Sequence, residues 1–420
     1  MRRGLRRDCA CDRMLSYMLS YTDARRLVIT QSKALAGVRP TLNLPIAQAL
    51  GYVLAQEVRC DREYPPFRRS TRDGYAVHSS EAKAGQALRC VGEIKAGDTV
   101  SQALTSGTCV QIMTGAAVPP EADAVVMIEF TRRENDTVTF ERATQAGQNI
   151  VSRGSEGHAG DLALQPGLRL GYAELAVAAQ VGATTLCCHK KPRVAILSTG
   201  DEVVPISETP GPFHIRNSNT VSLAALVQLA GGEPVPLVNA LDRVDDLSAK
   251  MEQGLREDIL VLSGGVSMGK YDLVESVLKG MGADFFFDAV AIRPGKPSVF
   301  GRCGKTLVFG LPGNPVSTMV TFQLFAIAAM DILSGGEARP LPLLEAALAE
   351  ALCEKPGLTH FLPARVEWPA SGAQVRVLRW QGSGDISALT GANCFVVVPA
   401  DRAEIAAGEK VSVLPRFDVL

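Results

Sequence analysis

A chain of 420 residues is too long for one ordinary hydrophobic core, so its length predicts about two to four domains. Hydrophobic residues make up 46% and charged residues 21% of the sequence, and no run of about 20 apolar residues would span a bilayer. The formal net charge of −1 gives no field that would attract nucleic acid or anionic lipid. We therefore expect neither nucleic acid nor a membrane as a partner.

The cysteines and the amino terminus indicate a cellular compartment. The ten cysteines show no spacing typical of a structural zinc site. No apolar signal core follows the basic start, which favours a reducing cytoplasm and free thiols. Residues 1–18 are predicted to be a disordered extension, because Met14 or Met18 begins the first segment that looks able to fold. The alternatives are a targeting arm, a nucleic-acid-binding tail or a wrongly assigned start.

The first part of the chain is predicted to be a helical linker domain, residues 19–60 and 149–190, around a β-rich insert. Thr22 and Asp23 are typical of a helix N-cap, Pro45 predicts a second helix through Leu54, and residues 171–181 return to a helical pattern. Between them, residues 61–148 carry short apolar runs broken by Gly, Pro and Asp. This pattern of short apolar runs predicts a small domain made mostly of strands.

The segment 191–335 alternates apolar strands with helices. Strands are predicted at 194–197, 258–262, 285–292 and 306–309, with helices near 220–230, near 272–279 and from residue 316. Apolar strands joined by crossover helices are typical of a parallel sheet that is covered on both faces, so we predict an α/β domain. Short strands return after it, and residues 336–420 are predicted to form a C-terminal β domain.

Three of the α/β strands run directly into glycine-rich turns, at 198–202, 263–269 and 310–315. In an open α/β sheet such turns lie at the carboxyl ends of the strands, where ligands bind, and their backbone amides attract phosphate. For any single turn, Gly and Pro that merely punctuate a connection are the alternative. The predicted ligand-binding residues in these turns are Thr199, Gly200, Ser263, Gly264, Gly265, Ser267, Pro312, Gly313, Asn314 and Pro315.

Charged residues accompany the turns. Asp201, Glu202, Asp242 and Asp272 supply carboxylates that suit Mg²⁺, since this ion is usually held by one or two carboxylates together with waters and substrate oxygens. With the family resemblance given below, the predicted metal ligands are Glu202, Asp242 and Asp272. Arg293 and Lys296 lie on one rigid turn, and paired cations suit phosphate or molybdate. Taken singly, each acid is more typical of a solvated loop or, for Asp272, of a helix start. The basic turn alone is equally typical of a solvated surface.

Two polar clusters in the β-rich segment have no role that the residues alone indicate. Asp73 and Thr114 each follow a turn-like pattern and each would cap a turn. The five histidines are scattered, with none beside a Ser or Cys in a nucleophile turn, so acyl-transfer catalysis is not indicated.

With these residues laid out, the chain resembles the MoeA family, the molybdopterin molybdenumtransferases, whose eukaryotic relatives include the E domain of gephyrin. The resemblance implies a MogA-like parallel α/β sandwich domain, an inserted β-rich domain, a helical linker domain and a C-terminal β-barrel-like domain. It is carried, in family order, by residues 73–77, 112–116, 147–150, 198–202, 263–269, 294–297 and 311–315.

The resemblance also implies an activity and a site. Members of the family insert molybdate into adenylylated molybdopterin with Mg²⁺-dependent release of AMP, as homodimers whose site is shared between the α/β domain of one subunit and the β-rich domain of the other. It implies molybdopterin adenylyltransferase and molybdoenzyme maturation proteins as partners. The implied catalytic residues are Asp73, Thr114, Glu202, Asp242, Asp272 and Lys296. Further implied binding residues are Arg293, Gly295, Ser317, Arg365 and Ser383, with Pro312 and Pro315 shaping the site.

Several positions depart from the family pattern. Lys270 stands where the family usually has an acid, Arg293 where it has Lys, Arg72 where bacterial members have Met, and Ser155-Glu156 where it has Glu-Asp. Lys270 alters the charge near the predicted metal ligands, which makes a specialised paralogue one alternative. The other functions to be weighed are a scaffold that holds the pterin without turnover and a molybdopterin adenylyltransferase.

Overall fold

The computed structural model describes residues 18–101, 103–265 and 273–419. The chain divides into two compact units. The first unit comprises the chain up to Asn43, Gly51–Ala55 and the chain from Cys187 onward, and the second comprises Leu44–Leu50 and Gln56–Leu186. Two units are a coarser division than the four predicted domains, whose boundaries stay a prediction.

The chain begins with helix α1, Tyr21–Ala36. The Oγ of Ser20 accepts a hydrogen bond from the Asp23 backbone N–H at 3.1 Å, so Ser20 is the N-cap. The cap predicted at Thr22 and Asp23 is therefore two residues late. Asp23 lies in the first turn instead, where a carboxylate favours the positive end of the helix dipole.

The second helix predicted from Pro45 to Leu54 is wrong. Pro45 ends strand β1, Thr41–Pro45, and only a short 3-10 turn, Ile46–Gln48, follows it. Gly51 adopts φ +78°, a left-handed conformation that a right-handed helix does not continue through.

The second unit is centred on a six-stranded sheet, which confirms the predicted β-rich insert. Its strands lie in the order β7-β4-β6-β5-β9-β8, and every neighbouring pair is antiparallel except β5 with β6. Short ladders join β2 to β11 and β3 to β10, and a helix, α2, follows them. The elements are β2 (Val58–Arg59), β3 (Arg69–Ser70), β4 (Gly74–Val77), β5 (Ala87–Ile94), β6 (Thr108–Ile112), β7 (Ala124–Met127), β8 (Thr131–Glu134), β9 (Thr137–Phe140), β10 (Ile150–Val151), β11 (Leu162–Leu164), α2 (Tyr172–Gln180) and β12 (Thr185–His189).

The first unit contains an α/β domain with a six-stranded sheet in the order β16-β13-β17-β21-β20-β18. The first four strands are parallel, as predicted. The elements are β13 (Arg193–Ser198), β14 (Val203–Val204), β15 (Ile215–Arg216), α3 (Ser218–Leu229), β16 (Glu233–Pro236), α4 (Val244–Gly254), β17 (Ile259–Ser263), α5 (Leu273–Gly280), β18 (Ala283–Phe287), β19 (Ile292–Arg293), β20 (Val299–Cys303) and β21 (Thr306–Leu311).

Alternate residues of these strands are buried on opposite faces of the sheet. Val194 and Ile196 of β13 pack on the side of α3, whereas Ala195 and Leu197 pack on the side of α4 and α5. A parallel sheet needs helices on both faces because its strands are apolar on both, and this explains their nearly continuous apolar sequence.

One edge of the sheet differs from the prediction. Strands β20 and β18 run antiparallel to the others, so the sheet is mixed rather than wholly parallel. The strand predicted over 285–292 ends at Phe287. Ile292–Arg293 instead pairs with residues 359–360 of the C-terminal sheet, so the chain leaves the α/β sheet before the basic turn.

The segment Pro315–Leu333 is the core helix of the first unit. It consists of α6 (Pro315–Thr321), a π-helical turn (Phe322–Ala326) and α7 (Ile327–Leu333). Among the described helices it is the one whose length and composition alone would suit a membrane span, but 94% of its 18-residue apolar window is buried inside the protein, as in the core helix of a folded domain. Helix α1 packs along it, and the Arg25 guanidinium donates to the Leu324 carbonyl at 2.6 Å.

The C-terminal part of the first unit is a closed five-stranded barrel, which confirms the predicted barrel-like domain. Its strands pair in the order β24-β25-β22-β28-β26, and β26 closes on β24. The elements are β22 (Leu344–Leu348), β23 (Leu352–Cys353), β24 (Thr359–Glu367), β25 (Gln374–Val377), α8 (Ala388–Gly391), β26 (Cys394–Val398), β27 (Glu404–Ile405) and β28 (Lys410–Pro415).

Candidate active site

The three glycine-rich turns meet at one edge of the α/β sheet. In the parallel register, Ser198 lies opposite Ser263, and Ser263 lies opposite Leu311, so β13, β17 and β21 end at the same level. The turns that follow border a cavity of about 640 Å³. Its described lining consists of Ser198, Thr199, Gly200, Glu202, Val203, Ile215, Arg216, Asn217, Ser218, Asn219, Asp242, Ser263, Gly264, Gly265, Pro297, Pro312, Gly313, Asn314, Pro315, Gly384 and Ile386.

Glycine is required in these turns because the backbones approach one another closely. Gly264 has φ +93°, and a Cβ placed on it would lie 2.8 Å from the Thr199 carbonyl oxygen. A Cβ on Gly265 would lie 2.7 Å from the Thr199 hydroxyl, and one on Gly313 would lie 3.4 Å from the Gly264 Cα. Side chains would force the turns apart, so glycine brings backbone amides to the cavity.

The first turn of α3 connects to the ends of all three strands. The Ser198 hydroxyl donates to the Asn217 Oδ1 at 3.0 Å, and the same oxygen caps the helix by accepting from the Thr220 N–H. The Asn219 Nδ2 donates to the Ser263 hydroxyl and to the Gly313 carbonyl, each at 2.7 Å. The helix start is therefore hydrogen-bonded to each of the three turns or strand ends.

The structure brings Glu202 and Asp242 to the same cavity. The Asp242 backbone N–H donates to the Asp201 Oδ1 at 3.1 Å, which places a third carboxylate beside them. Partial burial, followed by the charges of Asp201 and Glu202, raises the pKa of the Asp242 carboxyl above its ordinary value. Acids crowded in this way favour a bound cation or a proton.

The third predicted metal ligand, Asp272, lies outside the described residues, as do Ser267 and Lys270. Within residues 18–101, 103–265 and 273–419, no group of three His, Cys, Asp or Glu side chains has a geometry suited to a metal ion. Glu202 and Asp242 alone still match the one or two carboxylates that Mg²⁺ commonly takes from a protein.

The basic turn contributes its proline to the cavity rather than its cations. Pro297 belongs to the described lining, whereas Arg293 and Lys296 do not. Arg293 is exposed and Lys296 half-buried, and within the described part of the chain neither side chain has a hydrogen-bonding or ion-pair partner. Gly295 has φ +111° and is buried, and the Thr321 side chain leaves no space for a Cβ on it.

Of the three further residues that the resemblance implies, one lies at the cavity and two lie outside its described lining. The Asn314 Nδ2 donates to the Ser383 hydroxyl at 2.8 Å, so Ser383 lies at the cavity beside Gly384. Ser317 is buried in α6, away from the described lining. Arg365 lies on β24, where it donates to Glu367 at 3.1 Å and borders a different cavity of about 380 Å³.

Asp73 and Thr114 form a bonded pair within the second unit. The Asp73 Oδ1 accepts from the Thr114 backbone N–H at 2.6 Å and from its hydroxyl at 2.8 Å. These bonds, the backbone one first, hold the pKa of the Asp73 carboxyl below its ordinary value. Both residues are exposed, so this charged carboxylate remains accessible to a ligand.

The lining residues that the sequence did not predict include Arg216 and Asn219. Arg216 is the one Lys or Arg in the described lining of the cavity, and its Nε donates to the Ile206 and Glu208 carbonyls at 3.2 and 3.0 Å. Asn219 bonds to two of the turns. The Asn217-Ser218-Asn219 run before an apolar helix is a helix-start pattern and would have indicated this corner had it been weighed with the turns.

Comparison with known proteins decides the family. Residues 19–182 match the family model described as "MoeA N-terminal region (domain I and II)". Residues 195–331 match "Probable molybdopterin binding domain", and residues 345–416 match "MoeA C-terminal region (domain IV)". The chain belongs to the MoeA family.

MoeA-family relatives match over most of the chain. A protein of Staphylococcus aureus named molybdopterin molybdenumtransferase is 29% identical over 381 residues, which are 89% of this chain and 91% of the relative. One of the same name from Staphylococcus epidermidis is 29% identical over 379 residues, 89% of this chain and 90% of its own. The crystal structure of the molybdopterin biosynthesis MoeA protein of Pyrococcus horikoshii has a TM-score of 0.79 at 26% identity, over 95% of this chain and all of that one.

Proposed function

We propose that this MoeA-family chain is a molybdopterin molybdenumtransferase of molybdenum cofactor biosynthesis. It inserts molybdate into adenylylated molybdopterin: the phosphoanhydride is cleaved, AMP leaves, and molybdenum is joined to the dithiolene sulfurs. The observation that carries this proposal is the cavity of about 640 Å³ at the three glycine-rich turns, which lies mainly in the segment matched by the molybdopterin-binding family model.

The chemistry of the cavity lining supports a substrate that brings its own soft ligands. The described lining holds no cysteine or methionine, whose thiolate and thioether are the soft ligands that a protein offers to a metal ion. The dithiolene of the substrate supplies that function, so the protein has to supply position and electrostatics. Backbone amides of the turns and Arg216 offer donors to the phosphates.

Mg²⁺ fits the acidic side of this cavity. Glu202 and Asp242 would hold it, with Asp201 beside them, and the raised pKa of Asp242 marks a place where negative charge lacks a counter-charge. Bound there, the ion supplies charge neutralisation for the phosphoanhydride. Asp272 is the third carboxylate that we propose for this role, on its position in the family pattern.

We further propose a homodimer in which Asp73 and Thr114 of the partner subunit complete the cavity. This rests on the exposed, ionised Asp73, whose bonds to Thr114 fix its direction. We propose a cytoplasmic enzyme, which accords with described cysteines that are all free. Its expected partners are the adenylyltransferase that makes its substrate and the maturation proteins that receive its product.

The test of the activity supplies purified protein with adenylylated molybdopterin, Mg²⁺ and molybdate. We expect AMP release that depends on Mg²⁺, together with formation of active cofactor. Ligand binding without AMP release would replace the proposal with a scaffold function.

The shared site is tested by mixing two inactive variants. Asp73→Ala subunits and Asp242→Asn subunits each carry a change in one half of the proposed site. In each mixed dimer, one of the two sites should be intact, so activity should return when the variants are mixed. Mixtures that stay as inactive as the parent variants would place the whole site within one subunit.

A further inference from the structure

The strongest unassigned feature of the cavity is the side chain of Asn219, at the second position of α3. Its Nδ2 donates to the Ser263 hydroxyl at the end of β17 and to the Gly313 carbonyl in the turn after β21, each at 2.7 Å. One amide group therefore links two turns that belong to different strands.

The environment of the Asn219 side-chain oxygen shows that the amide group has a single favoured orientation. Oδ1 is buried and has no hydrogen-bond partner among the residues that the structure describes. A buried acceptor left unpaired is unfavourable, and an apolar residue here would avoid that cost. Because the exchange of oxygen and nitrogen would put the Asn219 oxygen against the Gly313 carbonyl, the amide has one orientation that satisfies its neighbours.

The bond from Asn219 determines what Ser263 is able to do. Ser263 is 2% exposed and lines the cavity. A hydroxyl has one hydrogen to donate and lone pairs that accept. Since the Asn219 N–H occupies a lone pair of the Ser263 Oγ, the Ser263 O–H stays available to donate to an oxygen of a ligand.

The Gly313 bond keeps the neighbouring turn in place. Gly264, the residue after Ser263, donates its N–H to the Leu311 carbonyl at 3.2 Å, and a Cβ placed on Gly313 would lie 3.4 Å from the Gly264 Cα. These turns contain glycines and have little side-chain packing of their own, so a hydrogen bond that spans them limits their movement.

We propose that Asn219 is a positioning residue that directs the Ser263 hydroxyl toward an anionic oxygen of the substrate and keeps the β17 and β21 turns in register. The inference rests on the proposed function for the identity of that oxygen, which belongs to the phosphoanhydride of adenylylated molybdopterin. Asn219 acts through Ser263 and need not touch the substrate.

The test compares four proteins with the wild type: Asn219→Asp, Ser263→Ala, the double variant, and Gln228→Ala as a matched control. Asp has nearly the shape of Asn but no N–H donors, so its carboxylate would accept the Ser263 hydrogen and withdraw it from the ligand. Gln228 is exposed on the same helix, far from the cavity lining. Equilibrium binding of adenylylated molybdopterin is measured, with thermal unfolding to verify the fold.

We expect Asn219→Asp and Ser263→Ala each to weaken binding about 10-fold or more, as for a hydrogen bond to a charged group, and Gln228→Ala to bind as the wild type does. The double variant should bind no more weakly than the worse single variant, because both changes remove the same donated hydrogen. Losses that multiply in the double variant, or an Asn219→Asp variant with wild-type affinity, would overturn the proposal.

Hydrogen exchange without ligand provides a readout that does not depend on the activity. The Gly264 amide is bonded to the Leu311 carbonyl, and its exchange should accelerate in Asn219→Asp and not in Gln228→Ala. Unchanged exchange would contradict the role in turn register. A wild type that binds the substrate but releases no AMP would sink the proposed function alone, while the binding and exchange results would still decide the role of Asn219.

Discussion

Asp73 in the second unit and Asp242 in the first unit have pKa values that are shifted in opposite directions. In the second unit, Asp73 receives two hydrogen bonds from Thr114, and these lower its pKa. In the first unit, Asp242 lies beside Asp201 and Glu202, and its pKa is raised. A carboxylate whose charge is already satisfied needs no ligand to stay ionised, whereas a crowded one is incomplete until a cation or proton arrives. The cavity of the first unit is thus where a charged cofactor and substrate are expected.

The largest effect that tests this comparison is expected at Asp242, the acid that lies beside Asp201 and Glu202. Asp242→Asn removes one negative charge at nearly constant shape, and we expect AMP release to fall about 100-fold or more because the proposed Mg²⁺ loses a ligand. Steady-state AMP release at saturating substrate measures it. Glu252→Gln, an exposed acid on α4 outside the cavity lining, is the matched control and should retain full activity. Activity of Asp242→Asn within twofold of wild type would remove this residue from the mechanism.

A second prediction concerns the glycines that bring the turns together. Gly264→Ala combines φ +93° with a contact of 2.8 Å to a backbone oxygen, and we expect it to cost about 2–4 kcal/mol of stability and to abolish tight binding. Gly282→Ala is the control, since it has φ +85° but nothing within 4 Å of the added Cβ, and should cost only about 1–2 kcal/mol. Thermal unfolding and substrate binding distinguish the two. Equal losses at both positions would show that backbone conformation alone, without the close approach, explains Gly264.

The smallest expected effect is a shift in the pKa of Asp73, the acid that accepts hydrogen bonds from Thr114. Thr114→Val removes the hydroxyl donor to Asp73 and keeps the backbone donor, so the pKa of Asp73 should rise toward its ordinary value without reaching it. Because the folded-state pKa of Asp73 is lowered, its ionised form stabilises the fold above the unfolded-state pKa, and this contribution disappears as the pH falls through the folded-state pKa. The acid limb of AMP release, or an NMR titration of Asp73, should move to higher pH in the variant. Thr137→Val, exposed on β9, should leave it unchanged, and a shift to lower pH would contradict the assigned bonds.

The sequence was sufficient to bring the three turns together, because the carboxyl ends of parallel strands meet at one edge of a sheet. Ser198, Ser263 and Leu311 are in register for this reason. It was not sufficient for the edge strands, since an apolar run such as that around Phe285 does not reveal the direction in which a strand runs. The predicted strand over 285–292 therefore missed the antiparallel β18 and the pairing of Ile292–Arg293 with the barrel.

Prediction of the site from the sequence has the same limit as prediction of the fold. Glu202 and Asp242 could be named because acids after apolar strands fall near the same edge, and both line the cavity. The helix-start pattern around Asn219 indicates this corner, but its two partners, Ser263 and Gly313, lie far from it in the chain, so only the structure shows that it joins the two turns. Asp73 and Thr114 were identified by family pattern, and only the structure shows that they bond to each other.

The central claim is that the cavity at the three turns couples release of AMP to insertion of molybdenum. The most direct measurement is a single-turnover reaction with limiting adenylylated molybdopterin, Mg²⁺ and molybdate, in which AMP and cofactor-bound molybdenum are quantified together. We expect both to appear in equal amounts and both to be lost in Gly264→Ala. AMP that is released without molybdenum in the product, or a wild type that releases none, would contradict the account.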